Sequence, residues 1–456
     1  MISSFNEPPW YGDCPADWRM VRVKDSVNSI DSGVWGDDSY DEEGSTPVLR
    51  SNEIDEGGQW RVTDPARRLL SPVERAKALL RAGDLLLVKS SGSQLHVGKT
   101  AVVTKQIEEI GCCYSNFTSR LRSKQCSANS RFLWYYLNNS PGRDQLFYHG
   151  TTTTGLINLT ATSIGIGKIA LPQLAEQQAI ATYLDTGCAA IDVAIASKRK
   201  QIESLTGIRK SLLQRVVTRG ISQTPALVAT GNFWLEQIPQ GWSLVMLKRL
   251  ADIQGGITLG KSYEDVETVE YPYLRVANVQ DGYVDLHDVT LLDVPPAVAA
   301  GVMLRAGDVL MTEGGDLDKL GRGTVWNGQI EPCLHQNHVF AVRCRTHKLL
   351  PHFLAYVTAA QYGRDYFEAT GKRTTNLAAT NATKVGMFYI PLPPLDEQRE
   401  LVRYLDTEFG RLATIEASIR KQIDTLLAYR KALIHECVTG QRRVTSADSS
   451  RDSANA

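Results

Sequence analysis

The sequence predicts an α+β protein made of two similar globular domains and two long helices that pair as a coiled coil. Three observations lead there. The chain repeats itself at a spacing of about 220 residues. Each repeat changes from short strand-like runs to helical periodicity. The apolar stripe of each helical tract is too narrow to lie on a globular core.

The repeat is extensive. Residues 169–218 align without a gap to 390–439, a shift of 221, with 22 identities over 50 positions. They include Pro172/Pro393, Glu176/Glu397, Gln177/Gln398, and Tyr183-Leu184-Asp185-Thr186 against Tyr404-Leu405-Asp406-Thr407. The same shift pairs Phe132-Leu133 with Phe353-Leu354, Gly142-Arg143-Asp144 with Gly363-Arg364-Asp365, Asn116 with Asn337, and Arg122 with Arg343. Further upstream the shift becomes 224, matching Arg81-Ala82-Gly83-Asp84 with Arg305-Ala306-Gly307-Asp308, and Trp10, Pro15 and Trp18 with Trp234, Pro239 and Trp242. A repeat of this length is domain-sized and excludes a solenoid.

Within each copy, Asp84-Leu85-Leu86-Leu87-Val88 and Asp308-Val309-Leu310-Met311 read as strands among glycine turns and short helices. Ser71-Pro72-Val73-Glu74 carries an N-cap, a proline at the first helical position and an early acid, with Gly83 as a stop. The helical tracts begin at Pro172 and Pro393, with Gly187 and Gly410 as candidate breaks. Their seams are Ile191, Ile195, Ile202, Leu205 and Leu212 in the first, and Leu412, Ile419, Ile423, Leu426 and Leu433 in the second. From Ile191 the first tract is a rod of roughly 42 Å. It cannot bury its stripe alone, and the nearest available partner is its own duplicate. The resulting division is a first globular domain (1–171), a helical spacer (172–220), a linker (221–231), a second globular domain (232–392), a second spacer (393–440) and a disordered tail (441–456).

Composition narrows the function. The chain has 456 residues, 43% hydrophobic and 22% charged, enough to build cores. Fifty Lys+Arg balance fifty Asp+Glu, which excludes binding polyanions by bulk charge but not by local patches. Eight cysteines are too few for a disulfide scaffold, no apolar run approaches a membrane span, and the first residues do not read as a signal peptide, so a reduced cytoplasmic setting is expected.

Several motifs invite a catalytic reading. Residues 255–262 satisfy G-x-x-x-x-G-K-[ST], but the acidic Tyr263-Glu264-Asp265-Val266-Glu267 follows where a nucleotide needs positive potential. Glu7-Pro8-Pro9-Trp10 resembles the Pro-Pro-aromatic motif of amino-methyltransferases without a glycine-rich cofactor loop ahead of it. Cys333, His335, His338 and Cys344 have no usual zinc spacing. His335-Gln336-Asn337-His338 reads better as side chains able to meet base edges. Thr151–Thr154 and Lys372-Arg373-Thr374-Thr375 occupy equivalent places and suit either phosphate contact or an ordinary turn. The basic residues of the helical tract, Lys198 to Arg219, fit a solvated face or a partner contact. No coherent catalytic constellation emerges.

Taken together, the chain resembles the DNA specificity subunits of type I restriction–modification systems. The resemblance is carried by Pro391-Leu392-Pro393-Pro394-Leu395-Asp396-Glu397-Gln398 with Tyr404-Leu405-Asp406, by its twin at Leu171–Gln177 with Tyr183-Leu184-Asp185, and by Gly371–Asn376, Ile238–Trp242, Tyr273–Val279 and Gly307–Leu310. It spans essentially the whole chain. Copy one departs at Cys14–Trp18 and at Ala175, which stands where the twin has Asp396.

The resemblance implies a non-catalytic protein with two target recognition domains, each reading half of a bipartite double-stranded DNA sequence. The helices would pair antiparallel as a spacer under pseudo-two-fold symmetry and dock two methyltransferase subunits, with restriction and translocase subunits joining them. S-adenosylmethionine, ATP and Mg²⁺ would belong to those partners, with none in this chain. Matched position and chemistry select Arg50, Ser90, Ser91, Asn116, Arg275, Asn278, Asn337, His338, Lys372, Arg373 and Thr374 as DNA-binding candidates. A self-contained DNA methyltransferase or nuclease subunit is the alternative, and a coiled-coil scaffold unrelated to DNA is a third reading.

Overall fold

The computed structural model describes residues 14–444, except 40–43, 94, 154–155, 259, 261–262, 264–265, 316–319, 322 and 374–377. It divides into two units, residues 1–198 with 421–456, and residues 199–420. Each unit takes one globular half of the chain and a piece of both long helices.

The centre of unit 1 is an antiparallel four-stranded sheet in the order Val27–Ser32, Thr118–Ser123, Leu85–Val88, Thr100–Val102. Leu85 and Leu87 point to one face with Leu121, under the helix Ser130–Leu137, while Leu86 and Val88 belong to a separate core with Val48, Leu49 and Tyr114. The run is apolar without alternation because both faces are covered. A second sheet joins Asp37–Asp38, Ala66–Leu69, Thr46–Leu49 and Cys113–Tyr114, and a third joins Thr151–Thr153, Leu156–Asn158 and Ser90–Ser91.

Unit 2 repeats the plan. Its four-stranded sheet runs Ala251–Gly255, Val339–Cys344, Val309–Thr312, Gly323–Val325. Its second sheet joins Thr290–Val294, Val269–Leu274 and Leu334–His335, and its third joins Gly314–Gly315, Ala378–Ala379 and Lys372–Arg373. One charged pair is duplicated inside both. Arg122 grips Asp84 with two bonds of 2.7 Å, and Arg343 grips Asp308 with bonds of 2.8 and 2.6 Å. Both carboxylates are buried and also accept from the backbone N–H three residues earlier, so the repeated Arg-Ala-Gly-Asp is a turn locked by its own aspartate.

The long helices span Leu174–Arg219 and Leu395–Thr439, unbroken at Gly187 and Gly410. They stop at Gly220 and Gly440, whose φ values of 74° and 79° suit glycine. In unit 1 the start of the first helix packs with the end of the second: Ile180, Leu184, Cys188, Ile191 and Ile195 share a core with Leu433, Ile434, Cys437 and Val438. In unit 2 the end of the first packs with the start of the second, through Leu213, Val216 and Val217 with Leu401, Leu405 and Phe409. Pairing start with end is antiparallel. Every predicted seam residue is buried or half-buried, whereas Val193, Ile208, Ile415 and Leu427 are exposed.

Four further expectations change. The helix opened by Ser71 runs Pro72–Ala78 and ends before Gly83, which makes a turn at φ 86°. The 221–231 linker contains strand Leu227–Asn232, paired with Leu235–Pro239, because an alternating run followed by a glycine turn closes a hairpin. Part of the 441–456 tail is fixed: Arg443 bonds Asp17 and Glu176, and Val444 is buried; 445–456 lie outside the described residues. An 18-residue window of the first helix, with mean hydropathy 1.4, is apolar enough to cross a membrane by length and composition. A third of that window is buried, and the side chains just named, Ile180 to Ile195, use that part as core packing.

Candidate nucleic-acid interface

Backbone hydrogen bonds bring most of the candidate residues to one strand-end cluster in each unit. Gly33 lets the chain pass against Tyr114 and Ser115; a Cβ there would sit 2.3 Å from their carbonyl oxygens. The crossing is sealed by Asn116 N–H donating to Val34 O at 3.0 Å and Ser115 N–H to Leu49 O at 2.9 Å, which sets Asn116 beside Arg50. Lys89 N–H then donates to Phe117 O at 3.0 Å, adding Ser90 and Ser91. In unit 2, Gly256 packs against His335 and Gln336, Asn337 N–H donates to Ile257 O at 3.0 Å, Gln336 N–H to Leu274 O at 2.8 Å, and Glu313 N–H to His338 O at 2.8 Å. Arg275, Asn337, His338 and Gly314 therefore repeat the placement of Arg50, Asn116, Phe117 and Ser90.

The side chains on this shared frame differ. Arg50 is exposed and ion-paired to Glu53 at 3.3 Å; Arg275 pairs with Asp288 at 2.6 Å. His338 is exposed, with its Nδ1 2.7 Å from Glu313 Oε2. Lys372 is exposed on the edge strand, where Thr151 stands in unit 1, and Arg373 follows it in the same strand. Thr374 lies outside the described residues. Asn278 is a correction. It is buried, its amide donates to Asp285 O and Asp288 O at 2.8 and 2.9 Å, and its oxygen accepts from Arg275 N–H at 2.8 Å. A side chain with both amide hydrogens engaged and 3% exposed holds a turn and does not reach a base edge.

Sequence reading missed Trp35 and Phe117. Both are exposed, their rings meet edge to face at 5.8 Å, and the Arg68 guanidinium lies 5.7 Å from the Trp35 ring. With Arg50 they line a cavity of roughly 310 Å³. Aromatic faces flanked by guanidinium groups can stack on bases and neutralise phosphates. Tryptophan and phenylalanine gave no signal because such residues ordinarily fill cores.

Gly255 ends a strand and Gly256 is a close-approach point; Lys261 and Ser262 lie outside the described residues, as does Glu7–Trp10. Cys333 and Cys344 are buried thiols pushed up to about 12 by burial, and burial also holds the His335 imidazole below its ordinary value. Among the described residues no cluster suited to a metal occurs.

The profile of the type I restriction modification DNA specificity domain matches the chain twice, over residues 15–204 and 239–425. The chain belongs to this family. It is 24% identical over 439 residues to the type I restriction enzyme StySPI specificity subunit of Salmonella potsdam, covering 94% of this chain and 90% of that one. It is 25% identical over 430 residues to the EcoKI specificity subunit of Escherichia coli K12, covering 91% and 86%. Its fold is similar to a chain from a solved type I R-M system (TM-score 0.69, 19% identity, 94% and 99% covered). The HsdS subunit of Thermoanaerobacter tengcongensis is similar at TM-score 0.57 and 19% identity, with 94% and 99% covered. The role of a specificity subunit is DNA recognition; it is not the catalytic component.

The family motifs now have physical roles. Gln177 is fully buried at the start of the first helix, accepting from Asn129 N–H at 2.8 Å and donating to Ser127 O and Pro172 O. Gln398 makes the corresponding bonds to Leu350 N–H, Lys348 O and Pro393 O. The aspartate of Tyr-Leu-Asp accepts from a tyrosine hydroxyl, Asp185 from Tyr135 at 2.6 Å and Asp406 from Tyr356. The Pro-x₄-Gln and Tyr-Leu-Asp signatures of this specificity subunit therefore weld each long helix to its own recognition domain.

Proposed function

We propose that each unit reads one half of a split DNA target through its strand-end cluster, while the antiparallel helices set the gap between the halves. The observation that carries this is one duplicated backbone frame bearing different side chains: Phe117 against His338, Ser90-Ser91 against Gly314-Gly315, Thr151 against Lys372. Equal frames reach equivalent places on a duplex, and unequal side chains read different bases there. The helices dock two methyltransferase subunits, with restriction and translocase subunits joining them in the cytoplasm. S-adenosylmethionine, ATP and Mg²⁺ belong to those partners. Zero formal charge supports dependence on them, since a neutral subunit gains little from counterion release.

Mapping methylated adenines in cells with and without the gene tests the reading. A two-part motif with a fixed gap is the expected result, and a continuous motif or no gene-dependent methylation would overturn it. Adding two helical turns (~11 Å) to both helices should lengthen the gap and leave both half-sites unchanged. Tight target binding by the chain alone at physiological salt would contradict the dependence on partners.

A further inference from the structure

Behind the sheets the two units differ in one place by a whole side chain. In unit 1, helix Ser130–Leu137 buries Trp134, whose indole N–H donates to Gly58 O at 3.1 Å. The Arg131 guanidinium lies 4.1 Å from the centre of that ring. One turn on, Asn138 clamps Thr100, accepting from its N–H at 3.0 Å and donating to its C=O at 2.8 Å.

The register in unit 2 is fixed by Phe353 and Leu354, buried like Phe132 and Leu133, and by Tyr356, which bonds Asp406 as Tyr135 bonds Asp185. It puts Ala355 where Trp134 stands and Ala359 where Asn138 stands. Gly282, with φ 82°, takes the turn position of Gly58, with φ 73°, and Gly323, paired with Met311 as Thr100 is with Leu87, takes that of Thr100. The space is not refilled. A cavity of roughly 440 Å³ remains, lined by Ala355, Ala359, Gly282 and Thr324, with Arg209 and Phe409 of the long helices opposite. The Arg209 guanidinium lies 4.4 Å from the Phe409 ring, so a planar cation is again at hand.

We propose that this cavity binds a small planar aromatic molecule carrying an N–H donor, of which indole is the simplest. The duplicate domain supplies the template: the equivalent helix carries an indole there, and the equivalent turn gives its N–H a glycine carbonyl. The volume suits a bicyclic ring, since ligand pockets begin near ~300 Å³, and a much smaller apolar cavity of ~150 Å³ is enough for benzene. A ring seated there meets the Arg209 cation.

Isothermal titration of full-length protein with indole, alongside thermal melting, decides it. One saturable site and a rising melting temperature are expected. Ala355→Trp, which supplies the ring covalently, should weaken binding at least tenfold while keeping the unliganded melting temperature at or above wild type. Trp134→Ala should add a second site. If Ala355→Trp does not fold by circular dichroism, Ala355→Leu is the substitute and should also weaken binding. Absence of saturable heat up to the solubility limit, or binding untouched by the substitution at 355, would overturn the proposal. Neither result bears on DNA recognition, which the methylation mapping tests separately.

Discussion

At three polar contacts the two units keep the same partners with the same residue types, while their strand-end clusters keep the backbone contacts and change the residues. Arg122–Asp84 and Arg343–Asp308, Gln177 and Gln398, and Tyr135–Asp185 and Tyr356–Asp406 recur atom for atom in their bonding. At the strand ends, phenylalanine faces histidine and serines face glycines across the duplication, though the backbone bonds beneath them are unchanged. A buried hydrogen-bonding group cannot be altered alone without stranding its partner. An exposed loop side chain has no such tie. Duplication therefore preserved the means of holding the edge and released the side chains that the edge presents.

The largest expected effect tests the frame. Asp84→Ala or Asp308→Ala removes a buried carboxylate, leaving a half-buried guanidinium without its partner and a turn N–H without its acceptor. Each should cost about 3–5 kcal/mol, and equivalence of the two losses in urea denaturation would show that the pair does the same work in both units. Trp134→Ala should follow, at about 3–4 kcal/mol for a buried aromatic removed. Its counterpart Ala355→Trp should leave stability at or above wild type, because the ring fills vacant space. Gln177→Leu and Gln398→Leu come next, at roughly 2–3 kcal/mol, because each leaves a loop N–H and two carbonyls unpaired. Amide hydrogen exchange should rise first at Asn129 and Leu350.

Much of this architecture was legible in the sequence because duplication is a pattern in the letters, and so is the spacing of a helical seam. The ten seam positions were readable because a narrow stripe on a long helix has only one use. Partners were harder. Arg122 and Arg343 were visible as a repeated residue, as were Asp84 and Asp308, but nothing in the letters said that they meet. Asn278 looked like a base reader because its amide suits adenine; the same amide suits two backbone carbonyls, and the chain put those closer. Trp35 and Phe117 were overlooked because residue type predicts burial, and exposure is set by the surrounding fold. The 221–231 segment looked like a linker because alternation over six residues is too short to separate a hairpin from a loop.

The smallest expected effect concerns pH and separates the units rather than weakening both. His335 is fully buried, its Nδ1 is 2.7 Å from Val339 O, and burial holds its imidazole below the ordinary value; unit 1 has Tyr114 at this position. The folded state keeps the ring neutral while the unfolded chain takes up a proton near pH ~6.5. Protons are then bound more in the unfolded state, so stability falls as pH drops through and below that value. Unit 2 should lose stability between pH 7 and pH 5 through this group, and unit 1 should not. His335→Asn keeps an N–H for Val339 O without the titrating ring, and it should flatten the pH dependence of the urea midpoint while lowering that midpoint little at pH 7. An unchanged slope would place the acid sensitivity elsewhere and remove this distinction between the two copies.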